Sequence, residues 1–421
     1  MTAFGPQNGG SRRSFLGALA GLATAAGTGA AAASPIQNAA AQPQPDGSDR
    51  VAFRGVHQAG IITPQQAHSV FAAFDVTSTG VTSLSALLKN WTKAADYLTG
   101  SSPDKPEGFD MAERMGLPTA RMTVTFGFGA SLFRREGADR FGLARQRPEA
   151  LVDLPNFPGE QLMPERTGGD VSVQVCCDNP QIAFHALRQL TRLAEGTAQV
   201  RWVQPGFTSD YGPGQTTRNL MGFKDGTNNL AVTDAEAMNT YIWAGEEGPA
   251  WMRGGSYVVT RRARIALEHW ERTPVSFQEQ TFGRHKVSGA PLGKANEFDP
   301  VDLGAADADG NLVLPETSHV RLGREAFEAG HRILRRAYSY NDGANFIAER
   351  WPPWHQGIEF DAGLFFICYQ RDPRTGFIPL FNKMSRLDMM NQFVTNTGGG
   401  LFACPGGISD GGFIGQNLFE A

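Results

Sequence analysis

Two stretches of the chain share one layout of apolar and polar positions. GDVSVQVCCDNP (Gly169–Pro180) alternates valine with polar residues and ends in a turn, and AGLFFICYQRDP (Ala362–Pro373) begins and ends in the same way. A period of two predicts a strand in each. After Pro180 the period lengthens. Ala183, Ala186, Leu187, Leu190, Leu193 and Ala194 recur at three- and four-residue steps, which predicts an amphipathic helix with Asp178 or Asn179 as its N-cap and Pro180 in its first turn. ARMTVTFGFG (Ala120–Gly129) and AQVRWVQPGF (Ala198–Phe207) read as strands before and after, so the order is strand, strand, helix, strand. SYVVTRRARI (Ser256–Ile265), GLFFICYQRD (Gly363–Asp372), an apolar stretch near Met389–Val394 and GGGLFACPGG (Gly398–Gly407) repeat that order. The matched prolines stand close to half of the mature chain apart, as two similar domains in tandem require. The pattern predicts an α+β fold of helix-backed antiparallel sheets, divided near Thr208–Thr217 where SDYGPGQ supplies turn residues.

The first forty residues differ in kind. Arg12 and Arg13 precede a run from Phe15 to Ala33 made almost wholly of Ala, Gly, Leu and Thr, and AAAQ (Ala39–Gln42) offers a small-residue cleavage site. Residues 1–41 read as a signal peptide; the alternative, an uncleaved anchor, is weakened by a run only feebly hydrophobic for a span. Paired arginines before Phe15 and Leu16 resemble the twin-arginine export signal, which carries folded proteins, so the expected location is periplasmic or extracellular. Residues 42–50, polar and proline-containing, are an expected disordered linker. The four cysteines show no metal or disulfide spacing and are expected to pack in the core. The chain has 421 residues, is 41% hydrophobic and has a net charge of -4, which allows a sizeable core and offers no basic surface for nucleic acid.

Chemistry must come from few positions. In GFKDGTNN (Gly222–Asn229) glycines flank Lys224 and Asp225, so the backbone can turn tightly and bring a carboxylate close to a flat ligand; an Asp-Gly pair is otherwise an ordinary turn. The histidines show no zinc spacing. Haem iron, however, needs one axial ligand, and PETSHVRLGREAFEAGHRILRRAYSYNDG holds two candidates, His319 and His331, near Arg335 and Arg336.

GFKDGTNN, together with HQAGIITPQQ (His57–Gln66), FGRHKVSGAPLG (Phe282–Gly293), SHVRL, LRRAYSY and GLFFICYQRDPRTGF, resembles the dye-decolourising peroxidases over nearly all of the mature chain. The likeness is greatest to their twin-arginine-exported branch, which includes the EfeB-type deferrochelatase/peroxidases. The resemblance implies one haem b per chain and two tandem ferredoxin-like domains, residues 51–212 and 213–421, with haem held mainly by the second. It places Asp225 and Arg335 on the distal face of the haem and makes His319 the proximal iron ligand. It gives Asp388 as the partner of that histidine, an aspartate that also reads as a helix N-cap ahead of Met389. Gly226 and Thr227 are expected at the haem edge, Arg284 near a propionate, and Gly363, Leu364 and Phe366 along the pocket wall.

The implied activity is reduction of H2O2 with one-electron oxidation of bulky aromatic or dye-like donors. Asp225 would move the peroxide proton, and Arg335 would keep Asp225 ionised and stabilise the leaving oxygen. Two other functions accompany this one: release of iron from haem in an iron-uptake system, and non-catalytic haem carriage. Expected partners are peroxide, aromatic donors, iron-uptake components and the twin-arginine translocase.

Overall fold

A computed structural model describes residues 49–104, 109, 117–209, 215–345 and 358–420; the expected signal peptide and most of the linker lie outside them. The strands are β1 (His68–Val76), β2 (Thr123–Gly129), β3 (Val171–Cys177), β4 (Ala198–Phe207), β5 (Ser256–Ile265), β6 (Leu334–Arg335), β7 (Tyr338–Asn345), β8 (Glu359–Gln370) and β9 (Val394–Cys404). The helices are α1 (Val81–Leu98), α2 (Ala130–Phe133), α3 (Pro180–Leu193), α4 (Ala235–Tyr241), α5 (Leu267–Arg272), α6 (Val275–Phe282), α7 (His319–Glu328), α8 (Phe377–Leu387) and α9 (Gln416–Phe419).

The first half therefore opens with a strand and a helix, β1 and α1, ahead of the predicted strand, strand, helix, strand. The predicted helix is α3, capped by Asn179, whose side chain accepts from the amides of Gln181 and Ile182. In the second half the helix of the repeated order is α8, Phe377–Leu387, and not the apolar stretch Met389–Val394 that follows it. Met389–Gln392 form a short 3-10 turn capped by Asp388, and β9 starts at Val394.

All strand pairings are antiparallel, and their order is β5-β9-β2-β3-β1-β4-β7-β8, with β8 pairing back onto β5. Eight strands thus close into a barrel. The order in the first half is β4-β1-β3-β2, and the second half matches it position for position as β9-β5-β8-β7. The halves meet at two short seams, Phe128↔Ala403 with Gly129↔Phe402, and Phe207↔Ser339. β6 and β7 pair successive stretches of β8, on either side of a break at Arg336 and Ala337.

Alternation along the strands divides the side chains between two cores. Phe71, Trp202, Tyr338, Tyr340, Phe365, Tyr369 and Phe402, from both halves, fill the barrel interior. Outside, Val171, Val173, Val175 and Cys177 of β3 lie under α1 and α3 with Leu84, Leu88, Trp91 and Leu190. All four cysteines are buried free thiols, and burial pushes those of Cys177 and Cys368 up to about 12, as packing residues require. Among the described residues no helix is long and apolar enough to cross a membrane.

Candidate active site

The segment from Thr217 to Asn229 is a tight hairpin. The amide of Asp225 donates to Thr217 O at 2.8 Å and that of Asn219 to Phe223 O at 3.0 Å. Gly222 and Gly226 have φ of +84° and +119°, values that a Cβ strongly disfavours, so the glycines set the path of the chain around Asp225. A small aromatic core anchors the loop. Phe223 stacks on Phe282 at 3.9 Å, and Trp270 Nε1 donates to Met221 O at 3.0 Å. Glu297 clamps the other side, pairing with Lys224 and accepting from Thr227 Oγ1 at 2.9 Å.

This loop brings Asp225 to Arg335, 110 residues away in sequence, with Arg335 Nη1 donating to Asp225 Oδ1 at 3.2 Å. Arg335 Nη2 donates to Asn228 O at 2.8 Å. The side chain of Asn229 then acts as a strand would: its Nδ2 donates to Arg335 O at 2.8 Å, and its Oδ1 accepts from the Arg335 amide at 3.0 Å. Among the described residues nothing donates to Asp225 Oδ2, so one carboxylate oxygen remains available. A cavity of about 50 Å³ opens beside the pair, lined by Gln65, Asp225, Gly226, Asn229, Arg335 and Leu364. A single water needs roughly 10–15 Å³ measured this way, so the space suits peroxide and a water.

The second cluster is built at the start of α7. His319 Nδ1 lies 2.6 Å from Asp388 Oδ2, while Asp388 Oδ1 accepts from the Met390 amide at 2.8 Å. One aspartate thus serves as helix cap and as histidine partner, with a different oxygen for each. Burial opposes a charged ring at His319, but the charge and hydrogen bond of Asp388 outweigh it and raise the imidazole pKa. Asp225 and Arg335 also act on this ring, with opposite signs. The ring is half-buried and keeps 35% of its surface accessible. No described residue bonds its Nε2. An imidazole tied down at one nitrogen and open at the other is the arrangement of a metal ligand.

The remaining expected residues are distributed unevenly. Leu364 and Phe366 lie on the outer face of β8, the face shared by Cys368 and, across the ladder, Arg335. Gly226 lines the small cavity, but Thr227 spends its hydroxyl on Glu297. Arg284 is buried, and its Nη1 donates to Gly289 O at 2.6 Å and Glu297 O at 2.9 Å, leaving Nε and Nη2 uncommitted among the described residues. His331 stands apart, at the far end of α7, with Nδ1 2.8 Å from Thr375 O. Arg336 turns into the barrel and donates to Thr63 O and Gln66 Oε1. The sequence reading missed Asn229 and Glu297. Both act on partners about 70 to 106 residues away, so no local spacing marks them.

Comparison with known proteins agrees with this geometry. Residues 58–208 match the family model described as Dyp-type peroxidase, N-terminal, and residues 216–409 match Dyp-type peroxidase, C-terminal. The chain is 36% identical to a dye-decolorizing peroxidase of Thermobifida fusca, with 98% of each covered, and 35% identical to a deferrochelatase of Escherichia coli K12, covering 95% of this chain and 94% of the relative. Among solved structures, a DyP-type peroxidase from Streptomyces coelicolor superposes with a TM-score of 0.81 at 40% identity, over 89% of this chain and 98% of that one. Ferric DtpA from Streptomyces lividans gives the same TM-score, identity and coverage. Two family domains matched in tandem over most of the chain make it a member of the Dyp-type peroxidase family, whose cofactor is haem b.

Proposed function

We propose that this chain reduces hydrogen peroxide at a haem b held between His319 and the Asp225–Arg335 pair, drawing electrons from organic donors that do not enter the pocket. The observation that carries the reading is the open Nε2 of a half-buried histidine whose other nitrogen is fixed by Asp388 at 2.6 Å. The residues fit the group: an anchored axial imidazole, an apolar strand face at Leu364 and Phe366, and uncommitted donors on Arg284 for a propionate. When bound, haem supplies the iron at which the O–O bond is split and the redox capacity to hold two electrons' worth of oxidation.

The protein's own groups do the rest. Asp225 Oδ2 takes the proton from the inner peroxide oxygen and returns it to the outer one, which departs as water. Arg335 orients Asp225 by donating to its Oδ1 and would face the oxygen on which negative charge grows. Asn229 and Asn228 fix Arg335 by its backbone and its second guanidinium nitrogen, so the pair is set before peroxide arrives. Asp388, accepting from His319 Nδ1, fixes the ring with Nε2 free, and would increase the basicity of that nitrogen as a ligand for the iron.

The matching strand orders support reading each half as a ferredoxin-like domain, residues 51–212 and 213–421, with the cofactor in the second. The paired Arg12 and Arg13 support export in the folded state to the periplasm or beyond, with the haem already loaded. Likeness to a deferrochelatase supports a second activity, release of iron from haem within an iron-uptake system. Haem titration into wild type, His319→Ala and His331→Ala tests the site. The histidine-ligated haem spectrum is expected to be lost only in His319→Ala, and its loss in His331→Ala alone overturns the assignment. Iron-free porphyrin recovered after incubation with reductant would establish the second activity.

A further inference from the structure

A separate cavity, of about 280 Å³, lies between the end of α4, the turn after α7 and the turn after β8, lined among others by Thr240, Tyr241, Arg332, Arg371 and Thr375. Its charges are balanced except for one. Arg371 grips Glu247 with two bonds of 2.7 Å, and Arg374 holds Asp372 at 2.7 Å. Arg332 has neither a carboxylate nor a hydrogen-bond acceptor among the described residues, and its Nε is buried without a partner. Instead its guanidinium lies between two rings, 4.0 Å from the centre of Phe327 and 4.8 Å from that of Tyr241. Stacking holds the plane of the guanidinium and leaves its edge for a planar anion that can bond it in two places.

We propose that this cavity binds a single-ring phenolic acid, its carboxylate on Arg332, as a reducing substrate of the peroxidase. Three observations set the class of ligand. The uncompensated charge is a single positive one, which suits a monoanion. The volume is at the low end of the roughly 300–1,000 Å³ of small-molecule sites, so one ring fits and a polycyclic dye does not. The hydroxyls of Thr240 and Thr375 already donate to Glu236 O and Asp372 O, so their lone pairs are left to accept from a phenol.

The position suits a donor. Arg332 belongs to the short segment that joins α7, which begins at His319, to the strand carrying Arg335. The inference rests on the peroxidase reading: each turnover takes one electron and the phenolic proton from each of two donors, and one H2O2 with two phenols gives two phenoxyl radicals and two waters.

The test uses the haem-loaded protein, 4-hydroxy-3,5-dimethoxybenzoate and its neutral methyl ester. Calorimetry is expected to show one acid bound per chain, with the ester at least about tenfold weaker, since a buried pairing of charges is being lost. R332Q is expected to weaken the acid by a similar factor and leave the ester unchanged, and R332K, which keeps charge without the stacked plane, to recover part of it. In turnover R332Q is expected to raise KM for the acid with kcat within about twofold, and to leave KM for peroxide and for the ester alone. Equal binding of acid and ester by wild type overturns the site without any variant. Displacement of the acid by an equal concentration of inorganic phosphate, or an unchanged KM in R332Q, overturns the donor class. If wild type oxidises neither acid nor ester with peroxide, the peroxidase reading itself fails, while the binding contrast still decides the site.

Discussion

The outer faces of β3 and β8 occupy equivalent places in the two halves, and helices cover them differently. On β3 the outward row Val171, Val173, Val175 and Cys177 is wholly buried, because α3 lies on β1 and β3 and α1 packs against α3. On β8 the matching row is Leu364, Phe366 and Cys368, and the first two are only half-buried. Here α8 reaches the strand through Phe377, whose ring lies 6.1 Å from that of Phe366, and α7 packs on α8 and α6 rather than on the sheet. The long connection from β5 to β7 delivers α7 with His319 at its tip, held off the strands. One ladder with two coverings yields a sealed core in one half and a pocket in the other. Apolar area left uncovered forgoes about 25 cal/mol per Å² of burial, which a flat apolar cofactor recovers when it binds.

Mutations on the two faces are expected to dissociate activity from stability. Asp225→Asn removes the proton acceptor and Arg335→Leu the positive charge, while both leave the β8 wall in place. General acid–base catalysis is worth about 10²–10⁴-fold and one electrostatic donor about 10²–10³-fold, so each variant slows peroxide consumption by factors of that order at equal haem content. Arg335→Leu is expected to slow it at least as much as Asp225→Asn, because Arg335 supports Asp225 as well as the leaving oxygen, and a water can partly replace Asp225 as proton carrier. Stopped-flow loss of peroxide measures both, and wild-type rates would remove the pair from the mechanism.

On the sealed face the expected outcome is reversed. Trp91 is fully buried, packs on Phe74 and Phe126, and donates from Nε1 to Leu190 O at 2.8 Å. Trp91→Ala should cost about 3–5 kcal/mol in a denaturant titration, as large-to-small changes in a tight core do. The peroxide rate of the remaining folded protein should not change. A slower rate per haem would mean that the two faces are mechanically joined.

That division also explains what the sequence disclosed. Strands with mixed rows, such as β3 and β4, show a period of two, and α3 announces itself with Asn179 and Pro180. β1 does not, because both rows of Val70–Phe74 are apolar and read as one run, whereas the equally buried β3 keeps Ser172 and Gln174 in one row. α1 was hidden by its start: Gly80 makes no side-chain cap and β-branched Val81 and Thr82 follow it. At the site, Asp225, His319 and Arg335 were found through segment resemblance, not through any local rule. Asn229 stood inside the quoted GFKDGTNN, yet its role exists only where the fold lays that loop along β6.

A smaller effect is expected behind the histidine. Asp388→Asn has one acceptor oxygen where the carboxylate uses two, so with that oxygen capping Met390 it presents a non-accepting NH2 to His319 Nδ1 and also removes the charge that makes the ring a stronger ligand. Loss of such a partner typically costs about 10–100-fold in metal affinity or activity. Transfer of haem to a competing apoprotein would measure it, and an unchanged transfer rate would leave Asp388 as a cap only.

The smallest effect is one of sign with pH. In the haem-free protein Asp388 raises the His319 pKa above the ordinary value of 6.5, against the opposing pull of burial. A raised folded-state pKa gives stability that is fully present below the unfolded value near 6.5 and is lost as pH rises through the folded value. Iron binding requires the opposite form, because the proton on Nε2 must leave before the metal is ligated. Stabilisation by haem should therefore grow over the same window in which the haem-free protein weakens. His68, lowered by burial, contributes with the reverse sign, so the quantity to follow is the difference between wild type and Asp388→Asn. Melting temperatures of both proteins between about pH 6 and 9, with and without haem, supply it. The haem-free difference should shrink with rising pH, whereas the difference in haem-induced stabilisation should widen. Parallel curves with and without haem would show that His319 does not exchange a proton for iron.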